Sequence, residues 1–252
     1  MIGADGSPLA RHGDQDRAFP LASVTKPLTA LAVLVAVEEG SVDLDQPAGP
    51  TGSTLRHLLA HASGLGIDGG VLSPPGRRRI YSNAGIEAAA ATVEVATEMP
   101  FATYLSEAVL EPLEMVATTL DGSPAHGATS TAGDLGRFAA ELLTPRLIDA
   151  ATHRSATSVV FPGQKGLVPG FGRQDPNDWG LGVEIRSAKH PHWTAAGNSP
   201  ETFGHFGRSG CFLWVDPVAA LALAVTTDEE FEAWAIEAWP RLGQAVLDQQ
   251  PH

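Results

Sequence analysis

The chain has 252 residues, 43% of them hydrophobic and 18% charged, which is enough to bury the core of one large domain. A formal net charge of −13 at pH 7 argues against nucleic acid and anionic membrane surfaces as partners. The single cysteine, Cys211, excludes an intramolecular disulfide and a cysteine-rich metal site, and its apolar neighbours predict inert packing in a buried strand.

The first residues contain neither the basic segment nor the apolar segment of a signal peptide. The longest apolar stretch, residues 28–37, is too short to span a bilayer. We therefore expect a soluble, cytoplasmic protein with no membrane partner.

Strand-like segments flank a mainly helical middle. Asp5-Gly6-Ser7 predicts the turn of an opening hairpin. A helix should begin near Ser23 and end at Gly40, because Pro27 fits only a first turn. This helix is apolar on nearly every side, which predicts an interior position. The later predicted elements are helices over 55–62, 84–98, 101–109 and 131–143, strands over 180–186, 193–196, 204–207, 211–215 and 220–226, and a last helix over 229–247 interrupted at Pro240.

This order of elements predicts an α+β fold, in which helices flank an antiparallel sheet and a mainly helical lobe is inserted. We expect a single unit over 1–252, with residues 1–50 and 160–252 in the sheet subdomain and 51–159 in the helical lobe. Residues 66–80 are rich in Gly, Pro and Ser and are predicted to form a loop, with the Arg77-Arg78-Arg79 triplet as a solvated part of it.

Ser23-Val24-Thr25-Lys26 is the one place where a serine stands three residues before a lysine. On a helix this spacing sets a hydroxyl beside an amine, and the helix N-terminus favours a developing negative charge. Ser23 and Lys26 are therefore candidates for a nucleophile and its base. The spacing alone fits equally well a helix start with a capping serine and a surface lysine.

Two later motifs could join this pair. Tyr81-Ser82-Asn83 lies where the loop ends and the next helix opens, so its side chains are held at an element boundary. Alone, it also fits a buried tyrosine followed by a helix-capping asparagine. Gly204-His205-Phe206-Gly207-Arg208 lies at a strand edge, where the glycines allow a close approach of the backbone to a ligand.

The order of the three motifs resembles the serine β-lactamase and penicillin-binding-protein superfamily. It is most similar to the class C-like branch, which includes family VIII carboxylesterases and D-alanyl-D-alanine carboxypeptidases. The resemblance extends over residues 2–227. Further stretches that carry it are LLAHASGL over 58–65, STAGDL over 130–135 and WGLG over 179–182. It implies a β-lactamase/transpeptidase-like fold.

The resemblance implies that Ser23 attacks a carbonyl carbon and forms an acyl-enzyme, with Lys26 and Tyr81 as the proton-transfer pair. Which of the two takes the proton stays open. By the family's layout, the backbone amides of Ser23 and Arg208 would form the oxyanion hole. Asn83 would orient the substrate and the lysine.

The strand-edge motif completes the implied binding site with His205 and Gly207. Many relatives carry Lys-Thr-Gly here, whereas this chain has His205-Phe206-Gly207. A neutral imidazole anchors a carboxylate poorly, and Phe206 removes a hydroxyl donor, although Arg208 could supply part of the missing charge. The chain is also shorter than most relatives.

These features favour an uncharged small-molecule ester or amide as substrate. We expect a serine hydrolase of carboxylesterase type, with a β-lactamase or D-alanyl-D-alanine carboxypeptidase as the alternative. No cofactor and no metal are implied, and the oligomeric state is not indicated.

The motifs of two other enzyme classes are missing or incomplete in this chain. An α/β-hydrolase would need Gly-x-Ser-x-Gly, which the chain lacks. His57 and His61 have the spacing of a zinc-binding helix but lack the intervening glutamate, and His190 and His192 bring no clear third ligand. The remaining rival is a catalytically silent member of the family that binds a ligand or partner. Reaction with a fluorophosphonate would separate it from a hydrolase.

Overall fold

Helices and short strands alternate along residues 1–249, the part of the chain that the computed structural model describes. The helices are α1 (Thr25–Glu38), α2 (Leu55–Leu59), α3 (Asn83–Thr97), α4 (Phe101–Leu105), α5 (Ala132–Leu143), α6 (Ala150–Ala156) and α7 (Ala233–Leu247). The strands are β1 (Ala18–Pro20), β2 (Thr119–Leu120), β3 (Ala128–Thr131), β4 (Gly166–Val168), β5 (Gly172–Gln174), β6 (Glu184–Ile185), β7 (Phe203–Phe206), β8 (Phe212–Asp216) and β9 (Leu221–Val225). The predicted α+β class is confirmed.

The main sheet has the order β6-β7-β8-β9, and all its pairs are antiparallel. Successive side chains of a strand point to opposite faces of the sheet. Both faces of this sheet are buried. Phe212 and Trp214 enter one hydrophobic cluster, whereas Leu213 and Val215 enter the other. His205 lies opposite Leu213 in the register and therefore faces the cluster that contains α1.

Helix α1 is the interior helix that the sequence predicts. Eleven of its residues are buried, and Gly40 follows its end with φ +76°. Pro27 occupies the third position, within the first turn, where no helical N–H is required. A 3₁₀ turn over Ala22–Val24 leads into the helix and carries Ser23. Within residues 1–249, no helix is long and apolar enough to cross a membrane.

Several short elements differ from the prediction. The opening hairpin is reduced to isolated bridges of Ile2 with Pro8 and with Ala222. A second sheet of order β1-β3-β2, the β4–β5 hairpin and helix α6 were not predicted. The expected interruption at Pro240 is wrong, because α7 continues through that residue. Helix α4 passes into a π-helix over Ser106–Leu110.

The division into a sheet subdomain and a helical lobe stays a proposal. Strand β3 pairs with β1, and α5 packs on β8 and β9, so parts of the 51–159 segment adjoin the sheet. Helix α5 begins as predicted, with Thr131 accepting a hydrogen bond from the Asp134 N–H.

The arginine triplet is only partly solvated, which corrects the prediction for this loop. Arg77 and Arg78 are exposed, but Arg79 is buried. Its guanidinium donates hydrogen bonds to carbonyl oxygens of three other segments of the chain: Ala60, Val160, Phe161 and Asn177. Arg79 therefore ties three loops together two residues before Tyr81.

The predicted strand over 193–196 is wrong, because this segment folds around a buried carboxylate. Glu184 accepts hydrogen bonds from Lys189 Nζ at 2.9 Å and from Trp193 Nε1 at 2.8 Å. His192 Nε2 lies 3.3 Å from the same carboxylate. Burial alone would raise the pKa of Glu184, but Lys189 and His192 outweigh it and lower that pKa. These contacts hold together the segment that runs from residue 178 to residue 194.

Removing the ammonium from this cluster should destabilise the fold strongly. We expect Lys189→Ala to lower the free energy of unfolding by about 3–5 kcal/mol, because Glu184 would stay buried without its partner. Urea denaturation followed by tryptophan fluorescence measures the change. Lys165→Ala is the matched control: its pair with Asp175 is more than half exposed on both sides, and the expected change is within about 0.5 kcal/mol. Equal losses in the two variants would contradict the role of the cluster.

Candidate active site

Ser23 lies at a sharp bend between a strand and a helix. Strand β1 ends at Pro20, and Ala22 then adopts a left-handed conformation with φ +46°. For an alanine this conformation costs about 1–2 kcal/mol. The bend turns the chain into α1 and leaves Ser23 partly exposed, whereas Val24 and Lys26 on either side of the next turn are buried.

The structure brings three of the predicted site residues into direct contact. Ser23 Oγ lies 3.0 Å from Lys26 Nζ and accepts a hydrogen bond from the Tyr81 hydroxyl at 2.7 Å. Tyr81 comes from the end of the loop before α3, 58 residues away in sequence. The Lys26 nitrogen also lies 4.6 Å from the centre of the Tyr81 ring.

Lys26 is fully buried and surrounded by oxygen acceptors. Besides Ser23 Oγ, its nitrogen contacts Asn83 Oδ1 at 2.8 Å and the Ala125 carbonyl oxygen at 2.9 Å. Burial lowers the pKa of Lys26 to about 7, and the carboxylate of Glu87 acts in the opposite direction. The amine therefore loses its proton near neutral pH, as a base in acyl transfer requires.

Tyr81 forms part of an aromatic cluster with His61, Trp179 and His205. The ring centres of His61 and Trp179 lie 4.7 and 5.9 Å from that of Tyr81, and that of His205 lies 5.8 Å away. Burial raises the pKa of Tyr81 even though its hydrogen bond to Ser23 acts against the shift. Tyr81 is therefore a neutral phenol at neutral pH and acts as a hydrogen-bond donor.

His205 is buried on β7 at the edge of this cluster. Its Nδ1 donates to the Phe206 carbonyl oxygen at 2.7 Å, which assigns the proton of the neutral ring to Nδ1. Burial, with Lys26 nearby, lowers the pKa of His205 to about 3. The imidazole is thus uncharged at neutral pH, as the sequence predicts for this position.

Gly207 and Arg208 follow directly on β7. A Cβ atom at Gly207 would collide with the Leu21 carbonyl oxygen, two residues before Ser23. The glycine thus lets the strand end pack against the bend that carries Ser23. The Arg208 side chain is 87% exposed and lies 3.9 Å from Glu230. The replacement of a missing lysine by this guanidinium stays a prediction.

The two amides expected to form an oxyanion hole belong to Ser23 and Arg208. Apart from bonds within helices and strands, no backbone–backbone hydrogen bond of residues 1–249 has the Ser23 N–H or the Arg208 N–H as its donor. The neighbouring Gly207 N–H, by contrast, is held by the Cys211 carbonyl oxygen at 2.8 Å. These two N–H groups can donate hydrogen bonds to a negative oxygen.

Sequence reasoning missed the backbone group that completes the surroundings of the lysine. The Ala125 carbonyl carries no side-chain signal, so no motif could reveal it. His61 lies within the predicted helix over 55–62, but α2 ends at Leu59 and His61 follows it with φ +53°. Its further contacts with the Tyr81 and Trp179 rings were not foreseen, although LLAHASGL and WGLG were both noted.

The histidines considered as zinc ligands serve other contacts. His57 Nδ1 bonds Thr54 at the start of α2, and its ring stacks on Phe161 with centres 4.3 Å apart. His61 Nδ1 accepts from the Ser82 N–H at 3.2 Å. His192 belongs to the buried Glu184 cluster.

Comparisons with known proteins find relatives over most of the chain. A crystal structure described as a β-lactamase from Mycobacterium bovis is 56% identical, with a TM-score of 0.97, over 98% of this chain and 92% of that chain. A penicillin-binding protein from Bacillus halodurans is 18% identical, with a TM-score of 0.72 over 93% of this chain and 87% of the other, and shows likeness of fold alone.

Among curated proteins, esterase EstB from Burkholderia gladioli is 46% identical over 66 residues, which is 21% of this chain and 17% of the esterase. The match therefore spans only a small part of that relative. The sequence model of the family described as Beta-lactamase matches residues 4–247. Since this match takes in almost the entire chain, the chain belongs to the β-lactamase family.

Proposed function

We propose that the protein is a serine hydrolase that cleaves small uncharged esters through an acyl-enzyme on Ser23. The observation that carries this proposal is the position of Ser23 Oγ, 2.7 Å from the Tyr81 hydroxyl and 3.0 Å from Lys26 Nζ. A hydroxyl needs such a partner because it is a weak nucleophile until its proton is removed.

The hydrogen bonds support Lys26, rather than Tyr81, as the base. A neutral lysine amine has two N–H donors and one lone pair. Asn83 Oδ1 and the Ala125 carbonyl oxygen can only accept, so they take the two N–H groups. The lone pair is then left for the Ser23 hydroxyl proton. Tyr81 donates to the same Oγ and cannot accept its proton while it remains a phenol.

The reaction has two halves, formation of the acyl-enzyme and its hydrolysis. As Ser23 Oγ attacks the ester carbon, its proton passes to Lys26 Nζ. The tetrahedral intermediate collapses when the C–O bond to the alcohol breaks. The alcohol leaves with the proton that Lys26 returns, while the Tyr81 hydroxyl donates to Ser23 Oγ. Water then attacks the acyl group and gives a proton to Lys26. Release of the acid restores the proton to Ser23.

The backbone amides of Ser23 and Arg208 would stabilise the oxyanion in both halves of the reaction. Such donors typically contribute about 3–4 kcal/mol each to lowering the barrier. Asn83, which holds Lys26, would also orient the substrate, and His205 would line the strand side of the site as a neutral ring.

The distribution of charge supports an uncharged substrate. Of the three lysines, Lys26 is held beside Ser23, Lys189 is buried on Glu184, and Lys165 pairs with Asp175 at the surface. Arg208 points into solvent, as described. With the lysines engaged in this way, a substrate carboxylate would lack the ammonium that the Lys-Thr-Gly motif of many relatives supplies.

The loop before α3 carries three exposed apolar side chains, which also favours an uncharged ester. Ile67, Val71 and Leu72 are 52%, 63% and 61% exposed. The Ile67 carbonyl accepts the Asn83 N–H at 2.8 Å, which attaches this loop to the start of α3. An apolar acyl or alcohol group would gain about 25 cal/mol for each Å² that it buries there.

A β-lactamase is the second candidate, because the Mycobacterium bovis relative carries that description at 56% identity. Nitrocefin hydrolysis distinguishes it from an esterase. A catalytically silent binding protein is the alternative of another class.

The proposal is tested with p-nitrophenyl acetate and butyrate. We expect turnover, a single acyl adduct on Ser23 by intact mass and peptide mapping, no activity in Ser23→Ala, and a loss of about 10²–10⁴-fold in Lys26→Ala. Ser7→Ala and Lys165→Ala, at exposed positions, are matched controls that should retain activity. Absence of both turnover and adduct in the folded protein would contradict the proposal and favour the silent binder.

The pH dependence of Ser23 reactivity should report the state of Lys26. Since the base acts only when neutral, the rate of fluorophosphonate labelling should fall below a midpoint near pH 7, by about tenfold for each further pH unit. His205→Gln should keep this midpoint, because the pKa of His205 is about 3. A labelling rate that does not change across neutral pH would contradict Lys26 as a base with a pKa near 7.

The approach of β7 to the Ser23 bend should be essential for activity. Gly207→Ala would push the strand end away from Leu21, and a displacement of about 1 Å can cost about 100-fold in kcat/KM. Gly136→Ala is the control, since its Cβ would make only ordinary contact with Ile2 and alanine favours a helix. Equal kcat/KM values for p-nitrophenyl butyrate in both variants would be inconsistent with this role of Gly207.

A further inference from the structure

We propose that Glu87 is a positioning residue for Lys26, acting through Ser123 on the segment that presents the Ala125 carbonyl oxygen. The inference rests on the proposed function, in which Lys26 is the base. Glu87 lies outside the motifs that carry the family resemblance, so the inference assigns a further residue to the control of that base.

Helix α3 presents Asn83 and Glu87 on the same face. Asn83 is the first residue of the helix, and Glu87 lies one turn further along, at the i+4 position. Asn83 contacts Lys26 directly through Oδ1 at 2.8 Å. Glu87 reaches the same lysine indirectly, from the side of the 122–125 segment.

A continuous series of hydrogen bonds leads from Glu87 to the lysine. Ser123 Oγ donates to Glu87 Oε1 and accepts the Ala125 N–H at 3.0 Å. The Ala125 carbonyl oxygen in turn lies 2.9 Å from Lys26 Nζ. A second tie, from Thr29 Oγ1 to the Pro124 carbonyl at 2.6 Å, holds the segment against α1. The glutamate thus fixes one of the two acceptors that leave the Lys26 lone pair for Ser23.

The negative charge of Glu87 acts on the lysine in addition to the hydrogen bonds. It favours the ammonium form and opposes the effect of burial on the pKa of Lys26. The other titratable groups around the lysine are Tyr81, His61 and His205, with Glu184 beyond the aromatic cluster. The two histidines are neutral and the tyrosine is protonated at neutral pH, so they contribute little charge there.

The titration of Lys26 can be measured directly. The chain has only three lysines, so ε-¹³C-lysine labelling gives three side-chain signals, and Lys26→Ala assigns the one of interest. Glu87→Gln keeps an oxygen that accepts from Ser123 but removes the charge. We expect the Lys26 midpoint in Glu87→Gln to fall by about half a pH unit or more, because the carboxylate no longer favours the ammonium form.

Glu94→Gln is the matched control for charge. Glu94 lies two turns further along α3 and accepts the Phe101 N–H at 2.7 Å, with no connection to Lys26. The Lys26 midpoint should be the same in this variant as in the wild type. An unchanged midpoint in Glu87→Gln, or an equal shift in both variants, would overturn the electrostatic part of the inference.

The positioning part is tested by variants that keep the charge. Ser123→Ala and Glu87→Asp both break the link to Ala125, and each should lower the plateau value of kcat for p-nitrophenyl butyrate by about threefold to tenfold, with little change in the midpoint. An unchanged plateau in both would overturn this part. If the wild type formed no acyl adduct on Ser23, the proposed function would fail, while the lysine titration would still decide the effect of Glu87.

Discussion

The burial of one amine governs the arrangement of the site. Lys26 lies on an interior helix with its nitrogen out of contact with water, where a charged ammonium is costly. Oxygens from three separate segments, at Ser23, Asn83 and Ala125, meet this nitrogen and compensate for the lost hydration. Burial also lowers the pKa of this amine to about 7. The position that requires these hydrogen bonds therefore also prepares the amine to accept a proton near neutral pH.

The sheet and the interior helix place these segments. The end of β7 packs against the bend before Ser23 through Gly207, while α1 fixes Lys26 three residues after the serine. Behind Tyr81, the buried Arg79 and the Glu184 cluster hold the loops that carry His61 and Trp179. Polar networks thus form the rear wall of the site, and aromatic rings form the surface that faces Tyr81.

The sequence predicts the long helices well, because they depend on local signals. Pro27 and Gly40 delimit α1, and Ser23, Lys26, Tyr81 and Asn83 meet in space as their motifs suggest. Short strands such as β2, of two residues, exist only through pairing with distant residues and leave no periodic pattern. Charged residues in loops look solvated, so neither the burial of Arg79 nor the pair of Lys189 with Glu184 could be predicted. A backbone acceptor such as Ala125 has no sequence signal at all.

The burial of Lys26 also couples proton binding to folding. In the unfolded chain this lysine has its ordinary pKa of 10.5, whereas in the folded protein its pKa is about 7. Between these two values the unfolded state binds more protons, so this residue makes the folded state less stable at pH 7 than at pH 10. The free energy of unfolding changes through this residue by at most about 1.4 kcal/mol per pH unit. Below pH 7 the residue causes no further change, because the lysine is then protonated in both states. Keeping the proposed base neutral at pH 7 therefore costs folding stability, and this cost becomes smaller as the pH rises towards the pKa of the unfolded chain.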